Sequence, residues 1–486
     1  MKAGRFVVLF FGVSFAAIGA AVWLAPEQAA ASLALQPAGA AGLIAIRAEV
    51  GGVFGGLAAL CLAGAAVKQR LVLFSAATVV AAIAAGRIMG MLADGASEAQ
   101  LGALAIEVAA IAALTVHARS LAIPAGVEHR PLSRRWIVAT GTVVVLAGGV
   151  VIALFDPRVE QWLFDRGAAR VTARDMSHLF GDDALRVGIC GSSAPLPSPD
   201  RAKACVAVFA GERFYVVDVG PESVENLVRW GIPLSRIGGV LLTHFHSDHI
   251  GDLGELNLQT WAGGRPSPLA VYGGPGVERV VEGFNAAYRQ DQGYRTAHHT
   301  ERIMPSATWP MVAHPVALDG YPSAAKDRTA LVLEDGALRI TAIEVDHAPI
   351  EPAYAYRFDY RGRSVVVTGD LKFHAPLIDA AKGADILVSE AIARPMAAAL
   401  QNGAAAAGRE RQATIMHDIQ DYHISPAEAA QIAEQAGAKL LVFYHLLPAP
   451  DTFLARRLFA SDVRRARDGA WSLAADGSLY TAPAGS

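Results

Sequence analysis

Charge is scarce in this chain. Asp, Glu, Lys and Arg make up only 18% of its 486 residues, and hydrophobic residues make up 53%. Ordinary soluble domains carry about 25% charged residues, so a membrane portion is expected. The formal net charge is −3 and no long basic run occurs, so charge alone gives no sign of nucleic-acid binding. Cysteine is almost missing. Cys61, Cys190 and Cys205 are too few for a disulfide framework or a zinc knuckle. Cys190 and Cys205 can pair across two strands in an oxidising compartment, or serve as small core residues; the second reading is preferred. Neither half of the chain contains an internal repeat.

Long apolar runs are abundant before residue 156. Five of them, at 5–25, 42–66, 71–92, 101–118 and 136–155, have the roughly 20 residues needed to cross a bilayer. The first follows Lys2 and Arg5 and has the look of a secretory signal, but four further spans favour a retained helix. The expected layout is a four-helix transmembrane domain over 1–125, a fifth transmembrane helix and linker over 126–170, and a soluble domain over 171–486. Lys68, Arg70, Arg119, Arg130, Arg134 and Arg135 lie in alternate loops, whereas the other loops carry only Glu27, Asp94 and Glu98. The positive-inside rule then puts the amino terminus in the cytoplasm. Five spans put the soluble domain on the periplasmic side, with the lipid bilayer as a partner. Arg47, Glu49, Arg87 and Glu107 fall inside the spans, and mutual pairing is preferred over an ion or ligand site.

From about residue 170 the pattern changes. Short Val-, Ile- and Leu-rich runs alternate with Gly, Pro and Asp breaks and with helical stretches, which indicates a layered α/β domain. Helices are expected at 221–230, 276–289 and 426–436. The last has a capping box, Ser425 with Glu428, Pro426 in its first turn and Gly437 after its end. The segment 391–416, rich in Ala, Gly, Arg and Gln, reads as a flexible or helical insertion.

Polar residues follow the strand-like runs with regularity. Asp218 follows Phe214 to Val217, and His347 follows Ile340 to Val345. Asp370, Glu390 and His445 likewise come after apolar runs. After Val240-Leu241-Leu242 comes Thr243-His244-Phe245-His246-Ser247-Asp248-His249. Imidazole and carboxylate suit zinc and similar divalent cations. In open α/β layers functional groups gather at one end of the strands, so these residues are candidates for one metal site.

Residues 185–450 resemble the metallo-β-lactamase superfold, whose signature is His-x-His-x-Asp-His. More narrowly they are similar to its ribonuclease Z, arylsulfatase and phosphodiesterase branch. Gly191 to Pro197 with Arg201, Asp218-Val219-Gly220, the His cluster, His347 with Tyr354-Ala355-Tyr356, Thr368-Gly369-Asp370 and His445 match that branch's motifs in order. The resemblance implies an αββα sandwich holding two zinc ions, with Mn²⁺ or Fe²⁺ as other occupants. His244, His246 and His347 would hold one ion. Asp248, His249 and His445 would hold the other, with Asp370 bridging. Asp218 would orient the His loop from behind. His423 would act as general acid and Glu390 would fix its tautomer; Asp248 would sit at the reacting centre.

The expectation is a membrane-tethered dizinc hydrolase in which a bridging hydroxide cleaves a small phosphodiester or sulfate ester. A lactone or carboxylic ester is the alternative substrate. A membrane sensor or transporter with a metal-binding regulatory domain is the alternative class. Ribonuclease Z proteins usually carry a long RNA-gripping arm, whereas only 22 residues separate His347 from Asp370. On that ground, and on the expected location, no nucleic-acid partner is expected. The sequence is silent on oligomeric state.

Overall fold

The computed structural model describes residues 2–24, 50–67, 70–94, 98–121, 157–320, 323 and 325–482. Two compact units divide the chain, Met1–Ala153 and Leu154–Ser486.

The first unit contains helices Lys2–Leu24, Gly51–Val67, Arg70–Asp94 and Glu98–Ser120. Small residues let them approach closely. A Cβ added to Gly19 would meet the Gly55 nitrogen at 3.2 Å. Val8, Leu57, Cys61, Leu73 and Leu114 are buried between the helices. The described residues support one of the five expected spans. Among the described residues only Phe6–Leu24 is long and apolar enough to cross a membrane, while Gly51–Ala63 and Val72–Ala85 are shorter apolar stretches. Glu107, His117 and Arg119 are polar positions on the continuous fourth helix and lower its apolar character. The expected span 136–155, Arg47, Glu49 and the Arg87 side chain lie outside the described residues; Glu107 is half-buried.

The second unit holds fourteen described strands: β1 (Leu185–Gly191), β2 (Cys205–Ala210), β3 (Arg213–Val217), β4 (Ile237–Leu241), β5 (Leu269–Gly273), β6 (Met311–Pro315), β7 (Thr329–Asp335), β8 (Leu338–Glu344), β9 (Tyr354–Tyr360), β10 (Arg363–Val367), β11 (Ile386–Ile392), β12 (Leu440–Leu447), β13 (Ala470–Leu473) and β14 (Leu479–Ala482). They form two seven-stranded sheets, ordered β14-β1-β2-β3-β4-β5-β6 and β13-β12-β11-β10-β9-β8-β7. In the first, β3 to β6 run parallel. In the second, β10 to β13 do.

Alternation along the strands explains the layering. Successive side chains point to opposite faces. Val206 and Val208 of β2 enter the core between the sheets, with Tyr356, Val365 and Val367 from the opposite sheet. Cys205, Ala207 and Phe209 enter the outer core, with Val224, Leu227, Leu253, Leu256 and Val277 from flanking helices. Helices Pro376–Ala380, Pro426–Gln435 and Phe453–Ala466 cover the other sheet through Leu377, Ile432, Phe459 and Val463. Each apolar side chain fully buried this way contributes about 1.5–3 kcal/mol. The result is the αββα sandwich.

The helix expected at 426–436 is Pro426–Gln435, with the Ser425–Glu428 capping box in place. The insertion is helical, as Arg394–Ala406 and Glu410–Asp418. Cys190 and Cys205 are joined by a disulfide with Cα atoms 5.0 Å apart, which corrects the reading of two separate core residues. The β1–β2 register shifts between Ile189 and Gly191. Cys190 is therefore a bulge residue that shares the outer face with Cys205.

Candidate metal centre

Parallel strands put their carboxyl ends on the same side, and the candidate residues arrive there from both sheets. Asp218 ends β3, and the His cluster follows β4 and turns into the short helix Ser247–Ile250. Asp370 and Glu390 come at the ends of β10 and β11, and His445 lies on β12. His347 follows β8. Gly369 makes the turn into Asp370. Its φ is +61° and an added Cβ would sit 2.7 Å from Thr243 Cβ, so no larger residue fits. Gly220 leaves room for the His loop in the same way, since its Cβ would meet the Asp248 carbonyl at 2.1 Å.

One carboxylate oxygen lies at the centre. Asp370 Oδ2 is 4.0 Å from His244 Nε2, 3.4 Å from His249 Nε2, 4.0 Å from His347 Nε2 and 3.5 Å from His445 Nε2. Two ligand groups form around it. His244, His246, His347 and Asp370 place their ligand atoms within 4.8 Å of one another, as do Asp248, His249 and His445. His244 Nε2 and His246 Nδ1 are 3.0 Å apart, close to the spacing that two Zn–N bonds of about 2.0–2.1 Å allow. His347 Nε2 and Asp370 Oδ1 are buried without a hydrogen bond. Each such atom costs about 1–3 kcal/mol if it stays unmatched. The donor set therefore fits divalent cations.

A second layer fixes which imidazole nitrogen faces inward. His249 Nδ1 donates to Asp218 Oδ2 at 2.8 Å. The Thr243 hydroxyl also donates to Asp218 Oδ2 at 2.8 Å and accepts from His244 Nδ1 at 3.0 Å. The Thr243 amide donates to Asp218 Oδ1 at 2.8 Å. His347 Nδ1 donates to the Tyr422 carbonyl at 2.9 Å. Each arrangement leaves Nε2 free to bind a cation. Asp218 and His445 have positive φ, 59° and 42°, a conformation that costs a non-glycine residue energy and clusters at functional sites.

Burial sets the charge state of one group. It pushes His347 down to about 4 and His244 well below the usual range, so both imidazoles are neutral near pH 7. The other group behaves differently. Burial opposes charge on His445 and His249, but Asp370, Asp248 and their neighbours outweigh it. They raise His445 to about 10 and His249 well above its usual value. The same cations hold Asp248 at about 2 despite its burial.

A cavity of about 260 Å³ opens on these groups, lined in part by His246, Asp248, Asp370, Tyr422 and His423. His423 Nδ1 donates to Glu390 Oε2 at 2.8 Å. Glu390 is fully buried and also accepts the Leu371 amide at 2.8 Å. It reaches the cavity only through His423. Thr243 and Tyr422 were absent from the sequence candidates; adjacency to His244 and His423 was the only signal. Trp261 and Arg265 do not line this cavity. Trp261 packs on Trp309, and Arg265 is buried against Asn257, Thr260 and the Thr308 carbonyl.

Comparison with known proteins decides the family. Residues 213–446 match the family model described as a beta-lactamase superfamily domain. A Ribonuclease Z of Mycobacterium bovis is 34% identical over 269 residues, covering 54% of this chain and 87% of that protein. The chain belongs to the metallo-β-lactamase superfamily. A Ribonuclease Z of Mycolicibacterium paratuberculosis is 33% identical over 268 residues, again 54% of this chain and 87% of that protein. The metallo-β-lactamase fold protein YhfI of Bacillus subtilis aligns with a TM-score of 0.43 at 21% identity, covering 62% of this chain and all of that one.

This member of the superfamily is a metal-dependent hydrolase with ribonuclease Z-like relatives. The expectation that no nucleic acid is a partner, with a small ester as substrate instead, is overturned by those relatives. That expectation rested on the short spacing between His347 and Asp370 and on the expected location of the domain. A short spacing between those two residues does not bear on RNA recognition elsewhere on the surface.

Proposed function

We propose that the chain hydrolyses phosphodiester bonds of RNA at a two-cation centre. The observation that carries this reading is Asp370 Oδ2, surrounded by the Nε2 atoms of four imidazoles at 3.4–4.0 Å. The mycobacterial relatives named Ribonuclease Z support RNA as the polymer.

His244, His246 and His347 would hold one cation, Asp248, His249 and His445 the other, and Asp370 would lie between them. Zinc is the proposed metal, because imidazole and carboxylate donors suit it. Bound divalent cations supply Lewis acidity to a phosphoryl group and lower the pKa of water toward about 7. The protein's own groups do the rest. Asp218, Thr243 and the Tyr422 carbonyl hold the imidazoles in the ligating tautomer. His423 lines the cavity with Nδ1 committed to Glu390, so its Nε2 is the atom that passes a proton to the leaving alkoxide. The Cys190–Cys205 bridge supports an oxidising compartment for this domain.

The test is zinc-loaded full-length protein with end-labelled RNA and with bis-p-nitrophenyl phosphate. Cleavage of both is expected, with loss of both in Asp370→Ala. A wild-type chain that holds two zinc ions and cleaves neither would end this reading.

A further inference from the structure

We infer that a second, non-catalytic RNA-binding surface lies on helix Phe453–Ala466. This inference rests on the RNA reading above. A cavity of about 550 Å³ is lined by Arg201, Arg456, Arg457, Arg464, Phe453 and Trp471 among others, and by no acidic residue. Arg201 is buried and committed to Asp451, Ser192 and the Ala474 carbonyl. It neutralises Asp451 and braces the wall. Arg465 on the same helix is taken by Asp462 at 2.6 Å. Arg456 gives only its Nε, to the Pro450 carbonyl. The exposed guanidinium groups of Arg456, Arg457 and Arg464 therefore remain as a concentrated positive field.

The apolar part fits the same ligand. Phe453 is 75% exposed at the helix start, and Trp471 is half-buried in the cavity wall. Arginines that follow a backbone, interleaved with aromatic faces on which bases stack, make up the general recognition mode of single-stranded nucleic acid. A polyanion with planar apolar groups satisfies both halves, and a simple anion satisfies only the first.

The position fits one continuous ligand. Leu196 and Leu447 line the metal-centre cavity. Five residues after Leu196 the chain reaches Arg201, and six after Leu447 it reaches Phe453. Segments of that length span at most roughly 20 Å. One RNA strand can enter the metal centre while its flank lies on the helix.

The experiment compares wild-type protein with a triple variant, Arg456→Ala, Arg457→Ala and Arg464→Ala, and with the triple Arg→Lys variant. Binding of a labelled RNA oligonucleotide is measured by fluorescence anisotropy across salt, and turnover of bis-p-nitrophenyl phosphate is measured in parallel. Three lost phosphate contacts remove about 2–3 from the slope of log K against log salt. The wild-type-to-Ala affinity ratio should then change about 20- to 40-fold between 50 and 200 mM salt. Turnover of the small diester should be unchanged, which also reports an intact fold, and the Lys variant should restore most of the slope. Unchanged RNA affinity in the Ala variant, with wild-type RNA cleavage intact, overturns this surface and leaves the catalytic reading standing. Failure of the wild type to bind or cleave RNA while it turns over the small diester overturns both.

Discussion

Asp218→Asn isolates what the second layer does for the metal centre. Asp218 is fully buried and accepts three hydrogen bonds, from the Thr243 amide, the Thr243 hydroxyl and His249 Nδ1, each at 2.8 Å. Asparagine keeps the shape and tolerates the positive φ of 59°. It replaces one acceptor oxygen with an NH₂ donor. In one orientation that donor faces His249 Nδ1. The ring then moves its proton to Nε2, the atom that must stay free for a cation. In the other orientation the donor faces the Thr243 amide. Either way a buried donor loses its acceptor, which costs the metal-free protein about 1–3 kcal/mol. Loss of such an outer partner weakens metal binding about 10- to 100-fold, or about 1.4–2.8 kcal/mol. The group formed by Asp248, His249 and His445 should suffer most. Competition against a chromogenic chelator measures the affinities, and urea unfolding of the chelated protein measures the stability. A variant that binds two zinc ions with wild-type affinity would refute the tautomer argument.

Three further outcomes can be checked independently. His423→Ala should lower RNA turnover about 10²- to 10⁴-fold, the usual range for general acid catalysis, with zinc content by elemental analysis unchanged; loss of a metal would make His423 a ligand instead. The denatured, unreduced chain should show one reactive thiol, Cys61, and three after reduction. Removing a cross-link that closes a 15-residue loop should cost about 3 kcal/mol in urea unfolding, and equal stability of the reduced protein would contradict the bridge. Burial lowers the His374 pKa below its usual 6.5, so the unfolded chain takes up a proton first as pH falls. Stability from this residue is therefore lost as pH drops from 6.5 toward the folded pKa, at up to about 1.4 kcal/mol per pH unit. The stability difference between wild type and His374→Gln should shift across that window; parallel pH profiles would remove the assignment.

Much of the metal centre was legible because its residues occupy strand ends, and strands announce themselves by runs such as Val365-Val366-Val367 before Asp370. The Ser425–Glu428 cap was equally plain, because a capping box is local. The five spans were less legible. Apolar helices rich in Ala and Gly read alike in sequence whatever they pack against, and among the described residues only Phe6–Leu24 is long and apolar enough to cross a membrane.

The sequence by itself determined a layered α/β domain and the candidate set of His and Asp side chains, since both follow from patterns local along the chain; the αββα sandwich was implied by the resemblance to the metallo-β-lactamase superfold. Only the tertiary structure decided which nitrogen of each imidazole faces inward, because Asp218, Thr243 and Tyr422 act across 25 to 75 residues of separation or through a neighbour's hydroxyl. It alone decided that Cys190 and Cys205 pair, by bringing both into the outer core with their Cα atoms 5.0 Å apart. It also gathered Arg456, Arg457, Arg464 and Trp471 around one cavity. A net charge of −3 sums the whole surface and cannot reveal where its positive part is concentrated.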